Sequence, residues 1–145
     1  MKTVAQVIQT KQIKQVHTVD AEDTVLNALR QMAEHNIGAL PVTENGKVIG
    51  VISERDYARK CVLKGRASVG TLVREIMSSP AISVNSKMSV QECLSLITDR
   101  HLRHLPVLED GQLVGLVSIG DLVKETIAEQ EELIRQLEQY IRGEV

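Results

Sequence analysis

The chain has no tryptophan and no phenylalanine among its 145 residues, and its only aromatics are Tyr57 and Tyr140. That scarcity disfavours single-strand nucleic-acid binders, which stack bases on aromatic platforms. A formal net charge of -2 also lacks the basic footprint such partners need, so nucleic acid is not an expected partner. No apolar run approaches the ~18 residues of a membrane-spanning helix. The first residues, Met1 to Val7, lack the apolar core of a signal peptide. A cytoplasmic protein without a membrane partner is therefore expected. Cys61 and Cys93 stand outside any CxxC pattern and read as small buried thiols in a reducing compartment.

What is abundant is Val, Ile and Leu, arranged as a repeat. Laid over itself at an offset of 65 residues without a gap, the stretch Thr18 to Tyr57 matches Ser83 to Leu122. The first copy contains Leu40-Pro41-Val42, Glu44-Asn45-Gly46 and Gly50-Val51-Ile52-Ser53-Glu54-Arg55-Asp56. The second contains Leu105-Pro106-Val107, Glu109-Asp110-Gly111 and Gly115-Leu116-Val117-Ser118-Ile119-Gly120-Asp121. A repeat defines the folding unit and predicts pseudo-symmetric sites. Each unit of about 60 residues is marginal alone, so the two copies are expected to share one core.

The periodicity predicts the elements. Thr3 to Ile8 reads as a helical lead-in and Val16 to Val19 as a strand. Asp20 to Thr24 is a cluster of helix-start residues ahead of Val25, Ala28, Leu29 and Met32, which share one helical face; Val90, Cys93, Leu94 and Ile97 repeat it. Ile37 to Val42 and Val48 to Ile52 read as strands joined by a type I′ turn at Asn45-Gly46, with Asp110-Gly111 as its counterpart. Beyond Asp121 the tail reads as one long helix with an apolar seam at Ile127, Ile134, Leu137 and Ile141, flanked by the i,i+4 pairs Glu131/Arg135 and Glu138/Arg142.

Both copies end their last strand in Ser-x-x-Asp. Taken singly, this is a helix N-cap with an acidic residue at N3. Its duplication, each time three residues after a glycine that would let a ligand approach the backbone, points to a ligand as well. A helix N-terminus offers amides to a phosphate, the serine hydroxyl can donate to it, and the aspartate can accept from two vicinal hydroxyls. Phosphate and cis-diol together describe a nucleotide.

The doubled Leu-Pro-Val … Gly-h-h-Ser-x-x-Asp pattern (h, apolar) resembles a tandem pair of CBS domains, or Bateman module, over residues 10–125. The resemblance implies an α+β fold of two pseudo-symmetric βαββα repeats packed sheet to sheet, with a C-terminal helix. It divides the chain into residues 1–70 (repeat 1 with its lead-in), 71–126 (repeat 2) and 127–145 (helical extension). It also implies two clefts that bind adenosine nucleotides such as AMP, ADP, ATP, S-adenosylmethionine or NAD, and a homodimer acting on a regulated protein partner. By position, Ser53 and Ser118 would meet phosphate and Asp56 and Asp121 ribose. The first cleft would borrow Ile82, Ser83, Leu102, Arg103 and His104; the second would borrow His17, Thr18, Ile37, Gly38 and Ala39. Arg103-His104 stands where copy one has Gly38-Ala39, so the clefts differ in volume and charge.

Other chemistry is weaker. His101 and His104 lack a third ligand at zinc spacing, which favours a hydrogen-bonding or ligand-contact role for His104. Neither cysteine has a motif-matched base, and no Walker or Rossmann glycine loop occurs, so the expected protein is a regulator and not an enzyme. Arg55, Arg59 and Lys60 flank Ser53, whereas Gly120, Lys124 and Glu125 stand one repeat later. On that count the first cleft is the stronger phosphate site. The rival readings are an NAD-type dinucleotide in one cleft and a dimerisation module with degenerate clefts.

Overall fold

The structure, a computed structural model, describes residues 2–11 and 16–143. The last two residues of the expected extension, and most of the polar stretch after the lead-in, lie outside these. The elements are α1 (Val4–Thr10), β1 (Val19–Asp20), α2 (Val25–His35), β2 (Ala39–Glu44), β3 (Lys47–Ser53) and α3 (Glu54–Asp56), which runs on into a π-helical segment at Tyr57–Val62. They continue with α4 (Val73–Ile76), β4 (Val84–Asn85), α5 (Val90–Arg100), β5 (His104–Glu109), β6 (Gln112–Ser118) and α6 (Ile119–Ile141).

The local chemistry accounts for these bounds. Thr24 caps α2 by accepting from the Asn27 amide at 3.1 Å, and Ser89 caps α5 by accepting from Glu92 at 3.1 Å. Asn45 and Gly46 take φ of 52° and 78°, and Asp110 and Gly111 take 51° and 78°, which is the paired positive φ of a type I′ turn. Two three-stranded sheets result, in the orders β1-β2-β3 and β4-β5-β6. In each, the first pair is parallel (Val19 opposite Val42, Val84 opposite Val107) and the second is an antiparallel hairpin. A register shift falls at Val42/Thr43 and again at Val107/Leu108. The fold is thus α+β with two equivalent halves.

The expectation of one shared core is corrected. The buried side chains form two clusters, one around Val25, Met32, Leu40, Val42 and Ile52, the other around Val90, Ile97, Leu105, Val107 and Val117. The halves are joined instead by exchange of their lead-in helices. Val4 and Val7 of α1 are buried in the second cluster, and Val73 and Ile76 of α4 in the first. The backbone repeats the same docking. Val4 N donates to Met88 O and Ala5 N to Ser86 O, both at 2.9 Å; Val73 N donates to Asp23 O at 2.8 Å and Arg74 N to Ala21 O at 2.9 Å. Each half therefore completes its core with the helix that leads into the other half.

The glycine ahead of each tetrad serves this packing. A Cβ on Gly50 would stand 2.7 Å from the Ser78 carbonyl oxygen, and one on Gly115 would stand 2.9 Å from Ile8 Cδ1. The close approach that the sequence suggests for a ligand is made by the protein itself, by α1 at Gly115 and by the segment after α4 at Gly50. Val51 and Ser78 exchange two backbone hydrogen bonds, at 3.0 and 2.9 Å, which extends β3 with the chain that follows α4. On α6, Arg135 pairs with Glu132, one turn-position nearer than the expected Glu131.

Candidate nucleotide clefts

Ser53 and Ser118 end β3 and β6 and cap the helices that follow. Ser53 Oγ accepts from the Asp56 amide at 3.1 Å while Asp56 Oδ2 accepts from the Ser53 amide at 2.9 Å. Ser118 and Asp121 repeat the exchange at 3.0 and 2.8 Å. The next amides are also engaged: Glu54 N donates to Gly38 O at 3.0 Å, and Ile119 N to Arg103 O at 2.9 Å. These two bonds tie each tetrad to the start of the neighbouring strand. They also leave few amides for an anion, so a phosphate here has to be met mainly by side chains.

Each tetrad lies on the wall of a cavity completed by the other half. The first cavity, of about 630 Å³, is lined by Ser53, Arg55, Asp56, Ser78, Ile82, His101, Leu102, Arg103 and His104 among others. The second, of about 320 Å³, is lined by Lys11, His17, Ile37, Gly38, Ala39, His104, Ser118 and Asp121 among others. Of the residues singled out from sequence, Ser83, Arg59 and Lys60 are not on the first wall, and Thr18 and Gly120 are not on the second. Lys60 sits behind the first wall, its ammonium 3.2 Å from Asp56 Oδ1. Ser78 donates to the same oxygen at 3.3 Å.

The sequence does not mark Lys11 and Ser78 as cleft residues, and it offers His101 only as half of a metal pair with His104. Lys11 and Ser78 lie in connecting segments outside the matched repeat, where nothing in composition marks them. His101 takes φ of 55° in closing α5, as Asn36 does at 54° in closing α2. Its place beside the first cavity follows from that turn.

Lys11 changes the charge comparison. Its ammonium donates to Asp121 Oδ2 at 2.8 Å and to Leu116 O at 2.7 Å. Burial pushes the Asp121 carboxyl up, but the bonds from Lys11 and Ser118 outweigh it and hold the group below the ordinary aspartate value. The first wall has Arg55 and Arg103 against Asp56, and the second has Lys11 against Asp121. Counted over the wall residues the contrast between the clefts is one formal charge, and two when Lys60 behind Asp56 is included, where a count along the sequence gives three. Desolvation, then the Arg103 and Arg59 charges, lower the proton affinity of the exposed Arg55.

Acceptor capacity differs the other way. Both carboxylate oxygens of Asp56 are engaged, whereas Asp121 takes its bonds from Lys11 and Ser118 on Oδ2. His17, on the wall of the second cleft, stacks on His35 of α2, which is not on that wall, with centroids 3.5 Å apart and planes at 14°. Desolvation and then the neighbouring His35 lower the His17 pKa, with Glu34 opposing. Both cysteines are buried, and burial followed by the Glu92 charge pushes the Cys93 thiol up to about 11, which removes it from nucleophilic chemistry near neutral pH. Among the described residues no cluster of three or more His, Cys, Asp or Glu is placed to hold a metal ion, and no helix is long and apolar enough to cross a membrane.

Comparison with known proteins bears on the same residues. The family profile of the CBS domain matches residues 4–62 and 73–127. A mitochondrial CBS domain-containing protein of Arabidopsis thaliana, CBSX3, is 40% identical over 127 residues, 84% of this chain and 62% of that protein. The chain therefore spans somewhat less than two thirds of that relative's length. The CBS domain-containing protein YhcV of Bacillus subtilis is 38% identical over 108 residues, 74% of this chain and 76% of its own. Among solved structures, a candidate signal-transduction protein with CBS domains from Burkholderia ambifaria superposes with a TM-score of 0.83 at 46% identity, covering 89% of this chain and 96% of that one.

Proposed function

The chain belongs to the CBS-domain family, of which it carries a tandem pair, and on that footing we propose that it is a non-enzymatic regulatory module whose two clefts bind adenosine nucleotides. The observation that supports this most directly is the composition of each cavity wall. A serine and an aspartate from one half face the start of a strand from the other, so a ligand there bridges the halves. Any ligand held by both walls stabilises one relative placement of them, which is the elementary requirement for a sensor.

The two clefts suit different ligands. Arg55 and Arg103 on the larger wall favour a ligand with more than one phosphate, such as ADP, ATP or the pyrophosphate of NAD. The smaller cleft, with Lys11 as its cation and an accessible carboxylate on Asp121, suits a nucleoside monophosphate such as AMP. The base lies against apolar wall, Ile82 and Leu102 in the first cleft and Ile37 and Ala39 in the second. A homodimer formed through α6 would carry the signal to a regulated partner.

Isothermal titration of the full chain with AMP, ATP, NAD and GMP tests this. We expect adenosine ligands to bind well ahead of GMP, with ATP losing more affinity than AMP in Arg55→Ala. Equal affinity for GMP, or no binding of any of the four, sinks the reading.

A further inference from the structure

Among the described residues, His104 alone lines both cavities. It opens β5 opposite Ser118, so its backbone belongs to the second tetrad's strand pair, while its neighbour Arg103 lines the first cavity. The repeat places Ala39 at the equivalent position of the first half, and Ala39 lines the second cavity alone. One imidazole, without a symmetry mate, therefore stands between the two clefts.

Four charged groups act on that ring, two from each cleft. Burial favours its neutral form most strongly; Asp121 on α6 opposes this, Lys11 after α1 supports it, Asp56 on α3 opposes it and Arg103 before β5 supports it. The net effect lowers the His104 pKa, so the ring is uncharged near neutral pH when the clefts are empty. A phosphate beside Arg103 or Lys11 offsets a cation that keeps the ring neutral and adds negative charge on its side. Either event raises the ring's proton affinity.

We propose that His104 couples the two clefts through one shared proton: a phosphate-bearing nucleotide in either cleft draws a proton from solvent onto the ring, and the imidazolium then attracts a second nucleotide into the other cleft. This rests on the adenosine-nucleotide reading of the clefts. The coupling is reciprocal, as linkage requires. The first equivalent of ligand takes up a proton and the second takes up less. Coupling is largest where the ring is neutral in the empty protein and charged in the singly liganded one. It fades at lower pH, where the empty protein already holds the proton, and at higher pH, where neither form does.

The test is calorimetric titration of the full chain with AMP in two buffers of different ionisation enthalpy, from about pH 5.5 to about pH 8.5, the range in which imidazoles titrate. His104→Gln keeps a hydrogen-bonding side chain that cannot charge, and His104→Ala reproduces the counterpart in the first half. We expect proton uptake with the first equivalent of AMP in the parent protein and its loss in both variants, together with a roughly fivefold or greater loss of second-site affinity. Retention of uptake and coupling in His104→Gln overturns the proposal, as do two independent sites in the parent at every pH. Those outcomes differ from failure of AMP to bind at all, which removes the nucleotide reading itself. If the variants do not fold, proton uptake and pH-dependent coupling in the parent protein decide the matter.

Discussion

The ammonium of Lys11 stands 2.8 Å from Asp121 Oδ2 on the wall of the second cleft and supplies that wall with a cation that the residues flanking Ser118 do not. In Lys11→Met, burial of Asp121 is opposed by Ser118 alone. The Asp121 pKa is therefore expected to rise, which a carbon-detected carboxyl titration by NMR reads directly. Loss of a charge-assisted bond is also expected to weaken AMP at that cleft by about tenfold. An unmoved Asp121 titration would show that the Ser118 amide suffices.

Gly50 and Gly115 occupy equivalent positions but face different obstacles. An added Cβ at Gly50 meets backbone, the Ser78 carbonyl at 2.7 Å, and disturbs the two hydrogen bonds between Val51 and Ser78. At Gly115 it meets the flexible end of Ile8. Gly50→Ala is expected to cost about 1 to 3 kcal/mol and Gly115→Ala less than about 1 kcal/mol, measured by urea unfolding. Equal costs would mean that α1 is held as rigidly as the segment after α4.

Ser118 caps the 23-residue α6. Ser118→Ala should lower stability by about 1 kcal/mol by removing the acceptor for the Asp121 amide, and Ser118→Thr should retain most of it. The same variants read by nucleotide titration separate the roles of the hydroxyl. A loss of binding in Ser118→Ala at a temperature where the protein remains folded assigns the hydroxyl to the ligand as well as to the helix.

Acid should destabilise the fold through its histidines. The pKa values of His17 and His104 are lowered in the folded protein, so the unfolded chain binds more protons as pH falls through the ordinary imidazole value, about 6.5. Their contribution is complete above that value and is lost below it, toward the lower folded values. Melting temperature is therefore expected to drop between about pH 7.5 and about pH 5.5, and the drop should shrink in the double variant His17→Asn/His104→Gln. An unchanged pH profile in that variant would assign the acid sensitivity elsewhere.

The apolar seam of α6 remains uncovered in the single chain. Ile127, Ile134 and Leu137 are 50 to 55% exposed and Ile141 is 81% exposed. Deleting residues 128–145 should weaken a homodimer while leaving nucleotide affinity largely intact, as read by sedimentation equilibrium and calorimetry. An unchanged dimer would assign the seam to another partner.

Several features were legible without coordinates because they depend on neighbours in sequence: the capping serines, the type I′ turns at Asn45-Gly46 and Asp110-Gly111, and the buried helical faces at Val25, Ala28, Met32 and Val90, Cys93, Ile97. The pairing of each tetrad with the opposite half was reached through the family pattern. The exchange of α1 and α4 was not, because the docking of Val4 and Ala5 corresponds to that of Val73 and Arg74 at an offset of 69 residues. The repeat itself runs at 65, and a gapless superposition passes over the difference. Lys11 against Asp121, Ser78 against Gly50 and His104 between the cavities are likewise contacts between distant segments. Composition and periodicity carry information about which face of an element is buried; which distant segment covers that face is decided by packing the two halves together.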